Sequence, residues 1–195
     1  MNITRKLGDL FLSGLGWEIQ GTLPDIPKYI VAVVPHTSWF DFVIGVLIRA
    51  SLGADIKFLA KKSLFRFPWG WFFRWMGGYP VDRTVRKGLV QQVSEIYRSK
   101  DRFAIAIAPE GTRKKVRRLK TGFYFIAKET EIPIVLARMD YATKILRFSD
   151  PIFPGDDIDD DLRRVYRFFR GAKGKHPSLS FEPDQLDTFN APIHR

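Results

Sequence analysis

Cysteine is absent from this chain of 195 residues, so disulfide bonds and a thiol nucleophile are excluded. Histidine is scarce, and His36, His176 and His194 lie too far apart for a metal-ligand cluster, so we predict no metal site. Long apolar runs are missing as well. A bilayer-spanning helix needs about 18 apolar residues in succession, whereas the run Phe42–Ile48 ends at Arg49. We therefore expect a protein without a membrane span.

Acidic residues are outnumbered, with 21 Asp and Glu against 32 Lys and Arg, which gives a net charge of +11. This excess of positive charge calls for an anionic partner, and a nucleic acid, an anionic membrane surface and a phosphorylated substrate all fit. Hydrophobic residues make up 45% of the chain, which suits one domain with a sizeable core over residues 1–195.

The two ends of the chain carry their own patterns. Ile3, Leu7, Leu10 and Phe11 recur at helical spacing, which predicts an amphipathic N-terminal helix within residues 1–16. Asp9 interrupts this apolar stretch, so we do not expect a secretory leader. Residues 171–195 are interpreted as a C-terminal tail.

Between these ends, strand-like and helix-like segments alternate. The predicted strands are Tyr29–Val34, Ile56–Ala60, Tyr79–Asp82, Arg102–Ala108, Ile132–Met139 and Thr143–Phe148. The predicted helices are Ser38–Ser51, Lys62–Met76, Val85–Ser99, Lys120–Glu129 and Asp157–Arg170. This alternation predicts an α/β fold with a single domain and a largely parallel sheet flanked by helices.

His36 and Asp41 are the first candidates for chemistry. His36 follows the apolar, β-branched run Ile30–Val34 and should lie in the loop after that strand, with Asp41 in the first turn of the next helix. Asp41 could then hold one imidazole nitrogen and leave the other free to accept a proton, as in a general base. Ser38 and Asp41 also have the spacing of a capping box, in which the carboxylate would serve only the helix N-terminus.

Two further segments should end at the same edge of the sheet. Glu110, in Pro109-Glu110-Gly111-Thr112-Arg113, follows one predicted strand, and Arg83 follows the short strand Tyr79–Asp82. Ligands gather at the carboxyl ends of parallel strands, so these segments could share a cleft with His36. Taken alone, the Glu110 segment could also be an ordinary loop with a Glu-Arg ion pair.

Together these residues resemble the glycerolipid acyltransferase family typified by 1-acyl-sn-glycerol-3-phosphate acyltransferases. The family's blocks are present in order as His36 with Asp41, Gly78–Arg83, Pro109–Arg113 and Ile132–Val135, with Ala60–Phe65 between the first two. The resemblance covers most of the chain and implies the α/β fold of glycerol-3-phosphate and lysophospholipid acyltransferases.

The resemblance also implies a reaction. A fatty acyl chain would move from acyl-CoA or acyl carrier protein to the free hydroxyl of the acceptor 1-acyl-sn-glycerol-3-phosphate, giving phosphatidate. His36 would be the general base, and Asp41 would stabilise the imidazolium. The acceptor's glycerol phosphate would be bound by Arg83, Glu110, Gly111, Thr112 and Arg113. Since the chain lacks cysteine and a Gly-x-Ser-x-Gly motif, we expect direct transfer without an acyl-enzyme and without a cofactor besides the donor substrate.

The sequence departs from the family's pattern beside both main motifs. Pro35 stands where asparagine is often found, and Lys114 stands where serine is common. These departures leave the proposed base intact, but another lysolipid or an acylated amino acid stays open as the acceptor.

Aromatic and basic runs bear on the partners. Trp69, Trp71 and Trp75 lie in the aromatic run Phe65–Met76, which suits a membrane boundary, an acyl-chain tunnel or the core. A basic run comprises Arg113, Lys114, Lys115, Arg117, Arg118 and Lys120. It could be a solvated face, or it could attract anionic lipid headgroups or the phosphates of the acyl donor. We expect a cytoplasmic protein that is peripheral on the inner face of the cell membrane.

Two other classes of protein fit part of the sequence. A basic nucleic-acid-binding module would explain the charge and the aromatic residues, but it leaves the ordered blocks unexplained, so we expect no nucleic-acid partner. A lipid-binding protein without catalysis would explain the aromatic and basic surface, but the presence of both His36 and Asp41 argues against it.

Overall fold

The computed structural model describes residues 3–82 and 88–183. Its strands are β1 (Glu18–Gln20), β2 (Lys28–Val34), β3 (Ile56–Lys61), β4 (Gly78–Val81), β5 (Phe103–Ile107), β6 (Ile134–Asp140) and β7 (Ile145–Phe148). The α-helices are α1 (Ile3–Gly14), α2 (Phe40–Leu52), α3 (Gly70–Trp75), α4 (Leu89–Arg98), α5 (Gly122–Thr130) and α6 (Ile158–Phe169). Short 3₁₀ helices span Lys62–Phe65 and Pro177–Leu179.

The strands form one sheet in the order β1-β7-β6-β2-β5-β3-β4. Every pairing from β6 to β4 is parallel, whereas β7 runs antiparallel to β6 and β1 pairs in parallel with β7. The predicted single-domain α/β fold with a largely parallel sheet is confirmed.

Strand β2 lies inside the parallel block and is covered on both faces. Ile30, Ala32 and Val34 pack into one hydrophobic cluster, which also contains residues of α4, α5 and α6. Tyr29 and Val31 pack into the second cluster, which contains residues of α1 and α2. Burial on both faces explains the continuous apolar sequence of this strand, because a central parallel strand has no solvated side.

Helix α1 forms as predicted but turns most of its apolar side chains outward. It contacts α2 through Gly8, where an added Cβ atom would collide with the backbone of Ser51. Leu12 is also buried, whereas Ile3 is 74% exposed and Leu7, Leu10 and Phe11 are exposed as well. The contact between α1 and α2 therefore uses a close backbone approach, and the apolar stripe that the sequence indicated is left on the surface.

One predicted helix is wrong. The segment Lys62–Met76 is divided into the 3₁₀ helix Lys62–Phe65 and the short helix α3. Pro68 lies between them, and Arg66 has extended backbone angles. Proline lacks a backbone N–H and disfavours helical geometry in the residue before it, so a continuous helix is broken here.

Other differences are smaller. The predicted helix Val85–Ser99 is observed from Leu89 to Arg98, and residues 83–87 lie outside the described residues. Strand β1 was not predicted, because three residues with only one neighbouring strand carry little periodicity. In the predicted tail, Ala172 and Phe181 are buried, and residues 184–195 lie outside the described part of the chain.

Candidate active site

The carboxyl ends of three neighbouring strands bring the candidate residues together. Strand β2 lies between β6 and β5, so His36, which follows β2, lies between Tyr141, which follows β6, and Glu110, which follows β5. This arrangement results from the parallel direction of these strands, which sends their carboxyl ends to one edge of the sheet.

His36 and Asp41 lie in contact. The imidazole Nδ1 is 3.2 Å from Asp41 Oδ2, and Asp41 lies in the first turn of α2, where the sequence placed it. The Asp41 side chain is only 2% exposed, whereas that of His36 is 30% exposed. A contact at Nδ1 favours the tautomer in which Nε2 is the unprotonated nitrogen, so the geometry leaves Nε2 to act as a base.

The Asp41 carboxylate also binds the backbone of the loop. Its Oδ2 accepts hydrogen bonds from the amides of Thr37 at 2.7 Å and Ser38 at 2.8 Å. The bond from the Ser38 amide to Asp41 is one of the two hydrogen bonds of a capping box. The Ser38 hydroxyl does not make the other one, because it accepts from the Phe40 amide instead. The two interpretations of Asp41 therefore do not exclude each other, because one oxygen contacts both the loop amides and the imidazole.

Burial alone would raise the pKa of the Asp41 carboxyl. Hydrogen bonds from the side chains of His36 and Tyr141 and from the Ser38 amide outweigh this effect, so the net pKa lies below its ordinary value. The carboxylate consequently stays ionised over the whole neutral range. An ionised carboxylate is the form that can stabilise an imidazolium.

Glu110 lies behind the histidine loop. Its Oε2 accepts a hydrogen bond of 2.9 Å from the backbone amide of His36. The residue is 2% exposed, and its Oε1 has no hydrogen-bond partner among the described residues. Burial, reinforced by the nearby charge of Asp41 and opposed by His36, raises its pKa from 4.5 to about 7. The contact thus anchors the His36 loop through its backbone, and the predicted contact of Glu110 with an acceptor stays a prediction.

A cleft of about 1030 Å³ opens beside His36. Its polar end includes Gly111, Thr112, Arg113 and Lys120. Gly111 has a φ of +65°, and an added Cβ atom would meet the Lys120 side chain, so a glycine suits both the backbone and the space. Three of the predicted acceptor-binding residues therefore line the same cleft as His36.

The cleft continues as an apolar arm between α2 and the sheet. The arm is lined by Val46 and Ile48 from α2 and by Val31, Ala106 and Met139 from the strands. Such a mixture of one apolar wall with a few convergent polar groups is typical of sites for amphipathic ligands.

Arg83, which was predicted to bind the acceptor, lies outside the described residues, so its role stays a prediction. The residue before it, Asp82, lines the cleft. In the described ranges 3–82 and 88–183, no group of three or more histidine, aspartate and glutamate side chains could hold a metal ion.

The sequence reasoning missed Tyr141. Its hydroxyl donates a hydrogen bond of 2.6 Å to Asp41 Oδ1. A signal was available, because Tyr141 comes two residues after the end of the predicted strand Ile132–Met139 and therefore belongs to the same sheet edge as His36.

Comparison with known proteins identifies the family. Residues 19–139, which include the His36 and Glu110 segments, match the Acyltransferase family. The chain belongs to this family. The glycerolipid acyltransferase resemblance is thereby confirmed.

Curated relatives of the chain carry the name 1-acyl-sn-glycerol-3-phosphate acyltransferase. The protein from Streptococcus pneumoniae is 27% identical over 129 residues, which are 61% of this chain and 47% of the relative. The protein from Saccharomyces cerevisiae is 30% identical over 131 residues, which are 63% of this chain and 42% of the relative. The matched region thus spans less than half the length of these two relatives.

A solved structure supports the fold. The crystal structure of the 1-acyl-sn-glycerophosphate acyltransferase from Thermotoga maritima matches with a TM-score of 0.61 and 21% identity. The match covers 85% of this chain and 75% of that chain. It therefore includes most of the described elements on both sides of the sheet.

Glu110 yields a prediction about stability and pH. Because its pKa rises from 4.5 to about 7 on folding, the folded protein binds this proton more tightly than the unfolded chain. The free energy of unfolding then contains a term that is fully present below pH 4.5 and is lost as the pH rises through about 7. Glu110→Gln should remove this term, which amounts to at most about 3 kcal/mol. Urea unfolding at several pH values measures it.

Glu131, an exposed carboxylate at the end of α5, supplies the matched control. Glu131→Gln removes one acidic group but should not remove the part of the pH dependence that is assigned to Glu110. If wild type and Glu110→Gln give parallel curves of stability against pH, the Glu110 carboxyl does not titrate in the expected range.

Proposed function

We propose that this protein transfers a fatty acyl chain from an acyl thioester to the free hydroxyl of 1-acyl-sn-glycerol-3-phosphate, forming phosphatidate. One observation carries the proposal. A histidine oriented by a buried carboxylate opens onto a cleft with a cationic end and an apolar arm. An amphipathic phosphorylated acceptor and a fatty acyl donor are the substrates that this combination suits. The names of the relatives support the same acceptor.

The proposed chemistry begins with proton transfer to His36. The unprotonated Nε2 takes the proton of the acceptor hydroxyl as its oxygen attacks the thioester carbonyl. Asp41, 3.2 Å from Nδ1, stabilises the imidazolium that forms. Collapse of the tetrahedral intermediate breaks the carbon–sulfur bond, and the imidazolium returns the proton to the leaving thiolate. The acyl group passes directly to the acceptor, with no covalent intermediate on the protein.

The acyl chain would occupy the apolar arm. Each CH₂ group removed from water there contributes about 0.8 kcal/mol of binding free energy. Val46 and Ile48 on one wall and Met139 on the other offer no hydrogen-bonding groups, which suits a hydrocarbon chain. His36 lines the same cleft as these apolar residues, so a chain bound there would hold its thioester carbonyl near the base.

The acceptor phosphate would lie at the cationic end. Arg113 suits this task because its planar guanidinium can bind two phosphate oxygens at once. Lys120 lies against Gly111 and adds a second cation beside the same loop. Arg83, by its resemblance to the family, would join them.

We further propose that the protein works while bound to a membrane surface. The apolar stripe of α1 is exposed, and Phe67, Trp69, Trp71 and Trp75 are exposed around α3. Both regions contact α2, α1 through Gly8 and the end of α3 through the Met76 carbonyl, which accepts from Arg49. Tryptophan and exposed apolar patches favour the boundary between headgroups and hydrocarbon. In the described part of the chain, no helix is both long and apolar enough to cross a bilayer.

The first prediction here concerns the base. His36→Ala should lower the transfer rate by about 10²- to 10⁴-fold, because the variant lacks the imidazole that accepts the proton. Asp41→Asn should also lower kcat strongly, through loss of imidazolium stabilisation. The assay combines purified protein with labelled acyl-CoA or acylated acyl carrier protein and a panel of lysolipids, and it identifies the product by mass spectrometry.

His176→Ala is the matched control, since this histidine is exposed and contacts Thr37 only through its backbone amide. It should retain nearly full activity. Activity of His36→Ala within a few-fold of the wild type would refute the assignment of the base. If Asp41→Asn only lowered the melting temperature, Asp41 would serve the helix and its loop alone.

The second prediction concerns the membrane. The protein should sediment with anionic vesicles, and its affinity should fall as salt rises, because each cation near an anionic surface contributes about 1 kcal/mol that salt screens. The triple variant Trp69→Ala, Trp71→Ala, Trp75→Ala should bind more weakly at every salt concentration.

Phe125→Ala is the control. Phe125 is an exposed aromatic residue of α5, and α5 packs in the hydrophobic cluster that does not contain α1 and α2. Vesicle binding equal in wild type and triple variant would exclude these tryptophans from the contact. Competition by single-stranded DNA would instead favour a nucleic-acid partner.

The third prediction separates acceptor binding from chemistry. Arg113→Lys keeps the charge but loses the planar guanidinium, so the acceptor KM should rise while kcat and the donor KM change little. The double change at Arg83 and Arg113 should be more severe. Arg98→Lys, which alters an exposed ion pair with Glu129, should leave both KM values unchanged. A rise in the donor KM alone would assign the phosphate to the acyl carrier.

A further inference from the structure

The family match ends at residue 139, but the site continues beyond it. The hydroxyl of Tyr141 donates to Asp41 Oδ1 at 2.6 Å. The other carboxylate oxygen, Oδ2, contacts the amides of Thr37 and Ser38 and lies near the His36 imidazole. Among the described residues, Tyr141 is therefore the hydrogen-bond partner of Asp41 Oδ1. It lies in a part of the chain beyond the family match.

Tyr141 is itself held in place from two sides. Its ring makes an edge-on contact with Trp17, with the ring centroids 4.9 Å apart. Its backbone amide donates a hydrogen bond of 2.7 Å to the carbonyl of Lys173. Trp17 is buried, and its amide bonds to Leu12 at the end of α1. The phenol thus approaches Asp41 from a fixed direction.

We propose that Tyr141 is a positioning residue that fixes the plane of the Asp41 carboxylate and thereby the orientation of His36. The proposal rests on His36 acting as the base. Without a partner on Oδ1, the carboxylate plane could turn about the Cβ–Cγ bond, and Oδ2 would then move out of line with Nδ1 of His36. With the phenol in place, Oδ1 accepts from Tyr141, and Oδ2 contacts the loop amides and the imidazole.

The protonation states fit this role. Burial, followed by the hydrogen bond to Asp41 and its negative charge, raises the pKa of the Tyr141 hydroxyl. The phenol therefore remains a donor over the neutral range, in which Asp41 is ionised. A hydrogen bond from a neutral donor to a carboxylate is of the stronger, charge-assisted kind.

The substitution Tyr141→Phe separates positioning from packing, because phenylalanine keeps the ring against Trp17 and removes only the O–H group. We expect kcat to fall about tenfold, since a hydrogen bond to a charged group is lost. Both KM values should change by less than about twofold, because Tyr141 does not line the cleft.

A second measurement does not depend on activity. Nitrogen-15 NMR of the neutral His36 imidazole reports which ring nitrogen carries the proton. In the wild type we expect the tautomer with the proton on Nδ1, facing Asp41. In Tyr141→Phe the signals should shift toward a mixture of tautomers.

Tyr124→Phe is the matched control. In the wild type, the Tyr124 hydroxyl donates a hydrogen bond of 2.9 Å to another buried carboxylate, that of Asp161. Tyr124 belongs to the cluster on the other face of the sheet. This variant should lose stability without changing kcat or the His36 spectrum. Equal losses of kcat in the two variants would mean a general loss of stability and would overturn the proposal. An unchanged spectrum and kcat in Tyr141→Phe would overturn it too.

Failure of the proposed function would look different. If the wild-type protein transferred no acyl group to lysophosphatidate, the reaction assay would be negative, yet the His36 spectrum would still report whether Tyr141 fixes the tautomer.

Discussion

The buried charge of Asp41 is the constraint on which the candidate site depends. An ionised carboxylate removed from water costs several kcal/mol unless hydrogen bonds replace its hydration. Here the replacements come from the loop amides of Thr37 and Ser38, from the phenol of Tyr141 and from the imidazole of His36. The loop shape that satisfies this charge is also the shape that places His36 beside the cleft. One carboxylate thus binds the loop and contacts the His36 imidazole, which explains why the capping and catalytic interpretations were hard to separate in the sequence.

Much of the fold could be predicted because the sheet is buried on both faces. Such strands read as continuous apolar runs, so β2, β5 and β6 were visible in the sequence. Strand β1 was not, since a three-residue edge strand buries too little to leave a pattern. The segment around Pro68 led to a wrong helix prediction for the opposite reason, because its sequence shows a pattern that its structure does not follow. Its aromatic residues are dense enough to imitate a helical stripe, although the proline divides it and Trp69, Trp71 and Trp75 are exposed.

The site shows a similar division between local and distant information. His36 and Asp41 are five positions apart, and their contact could be predicted from one strand end and one helix start. The pairing of the His36 amide with Glu110 depends on two strands being neighbours, which the motifs suggested only by sharing an edge. Tyr141 required the identity of the neighbour on the other side of β2, and sequence periodicity does not specify strand order. Packing decides such contacts.

The reversal of direction at β7 has a consequence for how the chain tolerates change. Because β7 and β1 run against the other strands, the connections that follow them return to the edge opposite His36, where the loop Gly21–Pro27 enters β2. The two edges of the sheet should therefore differ in how much sequence change they tolerate. Insertions or sequence drift in the Gly21–Pro27 connection alter a rim that holds none of the candidate residues within 3–82 and 88–183, whereas the loops after β2, β5 and β6 must preserve their lengths for hydrogen bonds to meet.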